Sequence, residues 1–211
     1  MARAVVKICG VTRAEDALQA CALGASWLGF NFYEPSPRYV RPERAAALVG
    51  GLPAGVTTVG VFVNAAVEEI GRVMERCRLE VAQLHGDETP GDCRAVEALG
   101  VAVLKAVRVR GREDVERAAS YGTQFILLDG FRLGLYGGSG ARFDWGWLKA
   151  GVPGRVFLAG GIAPENVGEA LAAETYGIDV CSGVEAAPGV KDAQKLRRLF
   201  TALEAYYERQ P

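Results

Sequence analysis

Eight short β-rich apolar runs alternate with eight helical patterns along 211 residues, and this rhythm predicts an α/β chain folded as a single-domain (β/α)8 barrel, the TIM-barrel architecture. Half of the residues are hydrophobic, enough for one sizeable core, and no Pro/Gly/Ser-rich break divides 1–211 into two domains. The competing architecture is an open doubly wound sheet, which favours a glycine fingerprint in its first βα turn. Here that turn reads Cys9-Gly10-Val11-Thr12.

The first strand is the run 4–9, closed by Lys7-Ile8-Cys9-Gly10 and followed by a helix over 14–23. The second strand, 27–32, leads through the loop 33–39 into a helix over 41–49. Strands at 57–63 and 81–85 each precede a helix, at 66–77 and 90–99, and Pro42 and Pro90 sit in first turns, where a missing N–H costs nothing. A strand at 102–107, a helix at 112–120 and a strand at 125–129 follow, the last ending in Leu127-Leu128-Asp129-Gly130. The next loop carries Tyr136-Gly137-Gly138-Ser139-Gly140 and reads as a mobile lid or a substrate-shaping loop. Asp144 then caps a short helix at 145–149. The seventh unit is a strand at 156–159 and a helix at 164–171 with Pro164 in its first turn, and the eighth strand is 178–181. The final helix, 193–207, is the clearest: Leu196, Leu199, Phe200, Leu203, Tyr206 and Tyr207 share helical spacing, and Asp192 is placed to cap it.

The bulk numbers exclude several function classes. There are 24 basic and 25 acidic residues and no basic half, so nucleic acid is not an expected partner. No apolar stretch reaches the roughly 18 residues that span a bilayer, and the N-terminus enters a strand without a signal-peptide core. Five cysteines form no C-x-x-C pair, which argues against a disulfide framework or a zinc site and for a reducing cytoplasm. His85 is the only histidine, so a histidine-based metal site is not expected.

Cys9 and Asp129 each end a parallel strand, one with a thiol and the other with a carboxylate. They could be a base and an acid facing one substrate; the alternative for Cys9 is an inert buried thiol. Residues two apart share a strand face, so Lys7 sits with Cys9, Gln83 with His85, Leu127 with Asp129 and Asp179 with Cys181. A lysine and an aspartate inside a barrel demand partners. Lys7 and Asp179 are expected to neutralise each other, or a nearby equivalent such as Lys105, as an ion pair of either packing or catalytic purpose. The charge of Lys7 would also favour the Cys9 thiolate.

Strand seven ends in Ala159-Gly160-Gly161 and strand eight in Cys181-Ser182-Gly183. Small residues after these two strands let backbone N–H groups approach an anion, and a phosphate monoester is the expected occupant, with tight turns as the alternative. Arg38, between prolines and aromatics, suits a carboxylate held by two parallel hydrogen bonds, or is an ordinary surface arginine.

Together these segments resemble phosphoribosylanthranilate isomerase. The matching pieces are KICG at 7–10, GFNFYEPSPRYV at 29–40, GVFVN at 60–64, QLHGDE at 83–88, LLDG at 127–130, GGSG at 137–140, FDW at 143–145, LAGGI at 158–162 and GIDVCSGVE at 177–185, in the family's order. The resemblance implies an Amadori rearrangement of N-(5-phosphoribosyl)anthranilate to 1-(2-carboxyphenylamino)-1-deoxyribulose 5-phosphate, in tryptophan biosynthesis, without cofactor or metal. It implies Asp129 as general acid, Cys9 as general base, Arg38 on the anthranilate carboxylate, and Gly160, Gly161, Ser182 and Gly183 on the phosphate, with Gln83 and His85 lining the pocket. For His85 an orienting role is expected rather than proton transfer. The chain departs from the family pattern at Asn31, where an apolar residue is expected, and at Cys181, where a serine is expected.

The expected partner is a small phosphorylated molecule, with the protein a monomer or a homodimer. A histidine-pathway aminoaldose isomerase is the nearest rival; it would show a second phosphate loop after strand three, where this chain has Val63-Asn64-Ala65. An indole-forming lyase or synthase would need a lysine acid and a glutamate base at strand ends, and no such pair is evident. A non-catalytic barrel that binds a phosphorylated metabolite is the alternative from another class.

Overall fold

In the computed structural model, the described residues are 3–130, 142–150 and 154–210. Eight parallel strands close a barrel in sequence order: β1 (Val5–Cys9), β2 (Trp27–Asn31), β3 (Thr57–Phe62), β4 (Val81–Leu84), β5 (Ala102–Val109), β6 (Phe125–Gly130), β7 (Arg155–Leu158) and β8 (Gly177–Val180). Around them lie α1 (Ala14–Leu23), α2 (Pro42–Gly50), α3 (Val67–Cys77), α4 (Pro90–Glu97), α5 (Arg112–Ala118), α6 (Val167–Leu171) and α7 (Ala193–Glu208). No helix among the described residues is long and apolar enough to cross a membrane.

The strands bury both faces, so two apolar cores form. The outer core joins strand residues such as Leu28, Phe30 and Leu84 to helix residues including Leu196, Leu199, Phe200 and Leu203 of α7. The inner core fills the floor of the barrel around Trp27, Phe125, Phe157 and Leu127. Trp27 meets Phe125 edge-on at 5.1 Å between ring centroids and Phe157 at 4.9 Å. Gly177 leaves space for this cluster, because a Cβ there would sit 2.6 Å from the Phe157 ring. Each aliphatic or aromatic side chain so buried contributes about 1.5–3 kcal/mol. An aromatic floor closes the barrel from below and directs polar chemistry to the C-terminal rim.

Three local expectations change. Pro164 lies in a turn before α6 rather than in its first helical turn. Asn166 organises that turn: its side chain accepts from the Ala163 N–H and donates to the Gly161 carbonyl, both at 2.9 Å. The piece at 145–149 is a 3-10 turn, Trp145–Ala150, with Asp144 accepting from the Gly146 N–H at 2.9 Å. After β8 comes a hairpin that the periodicity missed, β9 (Glu185–Ala187) and β10 (Val190–Lys191), turning at Pro188-Gly189 with Gly189 at φ 79°. The glycine-rich segment 136–140 lies outside the described residues.

Lys7 and Cys9 point inward, one above the other. β2 meets them with Gly29, paired in register with Cys9. A Cβ on Gly29 would stand 2.9 Å from the Cys9 sulfur and 3.0 Å from the Lys7 ammonium nitrogen. Gly29→Ala is expected to cost about 1–3 kcal/mol through overpacking, and it presses directly on the thiol. Thermal denaturation should show a lower Tm, and an unchanged Tm would refute the tight fit.

Candidate active site

The C-terminal rim of the barrel opens into a cleft, the position where active sites of this fold lie. Cys9 from the end of β1 and Asp129 from β6 both reach it, as do His85 after β4 and Arg38 from the loop after β2. Gly160, Gly161 and Ser182 supply the wall after β7 and β8. The two glycines take left-handed backbone, φ 92° and 64°, which turns the loop tightly at the rim.

Below the cleft, the Lys7 ammonium donates to Asp179 Oδ1 at 2.8 Å, with both side chains buried. Lys105 plays no part: it points to the outer face of β5, where it donates to Glu88 at 2.8 Å and to the carbonyls of Leu84 and Gly86. Burial pushes the Asp179 carboxyl up to about 6, against the pull of Lys7, and the Cys9 charge adds to the rise. Burial works against the Lys7 charge too, yet Asp179 and Cys9 hold its ammonium above the ordinary lysine range. The Cys9 thiol is held well below its ordinary range, first by hydrogen bonding from Cys181 and then, against burial, by Lys7 and Lys191. The thiol of Cys181 moves the opposite way, raised by the same hydrogen bond and by burial. The two thiols thus shift in opposite directions, Cys9 being the more acidic, and the Cys181 sulfur also faces Glu185 Oε1 at 3.9 Å.

Arg38 is anchored as well. Its Nε and Nη2 grip Glu185 at 2.9 and 2.7 Å. Lys191 reaches the same carboxylate at 3.0 Å and also donates to the carbonyls of Cys9 at 2.6 Å and Cys181 at 3.3 Å. Burial opposes the charge on Glu185, but Arg38 and Lys191 keep its carboxyl below the ordinary range. The loop carrying Arg38 is fixed from below by Asn31, whose carbonyl accepts from the Tyr33 N–H at 2.8 Å and whose amide donates to Ser36 Oγ at 3.2 Å. Asn31 thus has a reason to be polar.

Two expected pocket residues sit elsewhere. Gln83 does not line the cleft. It is fully buried under His85 and bonds the ring at Nδ1, 2.7 Å away. That contact turns His85 Nε2 towards Asp129 Oδ2, at 3.4 Å. Gly183 stands behind the rim: a Cβ there would lie 2.0 Å from the Ile162 carbonyl, so glycine is what lets the loops after β7 and β8 touch. Glu185 and Lys191 were given no role by the sequence. Their only signal was the unassigned glutamate closing GIDVCSGVE and a lysine after Pro188-Gly189. No group of three or more His, Cys, Asp or Glu side chains among the described residues is arranged to hold a metal ion.

A closed eight-stranded barrel with a buried thiol and a carboxyl group at its C-terminal rim defines a (β/α)8-barrel enzyme with acid–base character. Comparison with known proteins gives the family. The pattern of N-(5'-phosphoribosyl)anthranilate (PRA) isomerase matches residues 6–202, and the chain belongs to that family. It is 47% identical over 197 residues to N-(5'-phosphoribosyl)anthranilate isomerase of Citrifermentans bemidjiense, covering 92% of this chain and 94% of that one. Phosphoribosyl anthranilate isomerase from Thermus thermophilus superposes with a TM-score of 0.89 at 48% identity, over 95% of this chain and 98% of that one. A phosphoribosyl anthranilate isomerase in complex with reduced 1-(o-carboxyphenylamino)-1-deoxyribulose 5-phosphate has a TM-score of 0.84 at 38% identity, over 96% and 99% of the two chains.

Alkylation checks the thiol assignment without any assay of turnover. A small neutral alkylating agent should label Cys9 at pH values well below the ordinary thiol range of about 8.5, with peptide mapping as the readout. Cys93, whose thiol burial pushes up to about 11, should stay unlabelled there. Equal labelling of both at every pH would show that Cys9 is an ordinary thiol.

Proposed function

We propose that Cys9 and Asp129 are the base and acid with which this isomerase converts N-(5'-phosphoribosyl)anthranilate to 1-(2-carboxyphenylamino)-1-deoxyribulose 5-phosphate. The observation that supports the assignment is Cys9 and Asp129 facing one cleft, with the Cys9 thiol lowered by the Cys181 hydrogen bond and by Lys7. Asp129 gives a proton to the ribose ring oxygen, and the ring opens to a protonated Schiff base. Cys9 takes the proton from C2, and the iminium accepts the electron pair, giving an enolamine. Loss of the C2 hydroxyl proton and protonation at C1 complete the ketone. Two protons enter and two leave, so the step is an isomerisation.

The remaining groups bind. Arg38 receives the anthranilate carboxylate through the guanidinium edge not spent on Glu185. Gly160, Gly161 and Ser182 take the phosphate, mostly by backbone N–H groups, with Gly183 behind them letting the two loops close together. His85, oriented by Gln83, steadies Asp129. The chain 1–211 acts as one catalytic barrel, and five free cysteines suit a reducing cytoplasm.

Mixing the purified protein with freshly made phosphoribosylanthranilate should give rapid loss of anthranilate-type fluorescence. Cys9→Ser and Asp129→Asn should each lower kcat by about 10²–10⁴-fold. No decay with the folded, reduced protein would overturn the reading.

The pH profile follows from the direction of the Cys9 shift. A base must be deprotonated, and a lowered thiol pKa keeps it so well below the ordinary range. The acid limb of kcat/KM should therefore lie below about pH 8.5, with rate lost as pH falls through the lowered value. Cys181→Ala removes the hydrogen-bond donor and should move that limb upward. A limb that stays in place would assign it to another group.

A further inference from the structure

We propose that Cys9 and Cys181 form a dithiol–disulfide switch, closed by a peroxide and reopened by a dithiol reductant. The barrel register carries the geometry. β1 and β8 pair Lys7 with Asp179 and Ile8 with Val180, which brings Cys9 level with Cys181 on the same inner face. Neighbouring strands lie about 4.8 Å apart, inside the Cα separation of about 4.4–6.8 Å that a disulfide accepts. Lys191 confirms how close the two backbones are, since one ammonium nitrogen bonds both carbonyls, at 2.6 and 3.3 Å. Gly10 follows Cys9 in left-handed backbone, φ 72°, and a Cβ there would sit 3.2 Å from the Cys181 sulfur and 2.6 Å from the Arg38 stem. Both cysteines line the cleft, so a small oxidant reaches them.

The chemistry is selective for this pair. The lowered Cys9 thiol supplies the nucleophile, whereas burial raises Cys21, Cys77 and Cys93, and none of those three lines the cleft. The Cys9 thiolate attacks the peroxide O–O bond; one oxygen joins sulfur as a sulfenic acid, and the other leaves as hydroxide and is protonated to water. The Cys181 sulfur then attacks the Cys9 sulfur. An S–S bond forms, the S–O bond breaks, and the departing hydroxide takes the Cys181 proton as a second water. Each sulfur is oxidised by one electron and one peroxide is reduced to two waters. Cys181 thus has a role separate from turnover: it traps the sulfenic acid before the irreversible sulfinic stage.

Hydrogen peroxide followed by intact-mass analysis and peptide mapping tests the switch independently of the reaction catalysed. The full-length protein should lose two hydrogens, about 2 Da, with the bond mapped between Cys9 and Cys181. Turnover should fall at least about tenfold and return with dithiothreitol. In Cys181→Ser, Cys9 should gain one or two oxygens, about 16 or 32 Da, and the sulfinic fraction should resist dithiothreitol. Sulfinic or sulfonic Cys9 in the unaltered protein beside a free Cys181 thiol would overturn the proposal, as would a disulfide mapped to any other pair. So would a protein whose thiols all survive peroxide that oxidises the free thiol of a control peptide.

Discussion

A lysine ammonium fully inside the barrel is the constraint on which the rim chemistry depends. Burying a charge without a partner costs several kcal/mol, and Lys7 meets that demand with Asp179 on the adjacent strand. One carboxylate at 2.8 Å does not exhaust the three donors of an ammonium, and the Cys9 sulfur directly above takes up part of the remaining field. The lysine that this pair holds in place adds its charge to the Cys181 hydrogen bond in lowering the thiol above it. Gly29 belongs to this arrangement because two large inward groups on β1 require an empty position on β2.

A second charged assembly crosses the mouth, from Arg38 through Glu185 to Lys191. It differs from the first in what it controls. Lys7, held by Asp179, favours the charged form of the thiol above it, whereas Glu185 sets the direction of a guanidinium. Holding Arg38 by one edge restricts a side chain that would otherwise carry about 2 kcal/mol of rotamer entropy, and leaves its geometry prepared for an anion. Lys191 joins the two assemblies, since it touches Glu185 on one side and the backbone of Cys9 and Cys181 on the other.

Most of the barrel was legible because parallel strands buried on both faces write near-continuous apolar runs, and proline and aspartate mark helix starts. All eight strands and the α7 cap at Asp192, which accepts from the N–H groups of Gln194 and Lys195, follow that code. What stayed hidden follows different physics. The β9–β10 hairpin is too short to show a period, and Pro188-Gly189 was its only mark. Strand parity correctly put Lys7, Cys9 and Asp179 inside, but parity does not say how deep a residue lies. Gln83, placed in the pocket by the family resemblance, shares a face with His85 but lies one layer lower. Glu185 and Lys191 drew no reading, since only tertiary packing reveals that a charged pair is buried.

The clasp made by Lys191 also imposes an order of assembly. It joins the carbonyl of Cys9 to a residue 182 positions later in the chain, and β8, which supplies Asp179 and leads into Cys181, is similarly remote from β1. A nascent chain leaving the ribosome N-terminus first carries Cys9 for nearly the whole of synthesis without its lysine clasp, its thiol donor or the partner of Lys7. Throughout that time Cys9 is an ordinary protonated thiol of low reactivity. The thiol of Cys9 is lowered only when the seam between first and last strands is sealed, so the incomplete chain is chemically quiet at this sulfur until folding completes its surroundings.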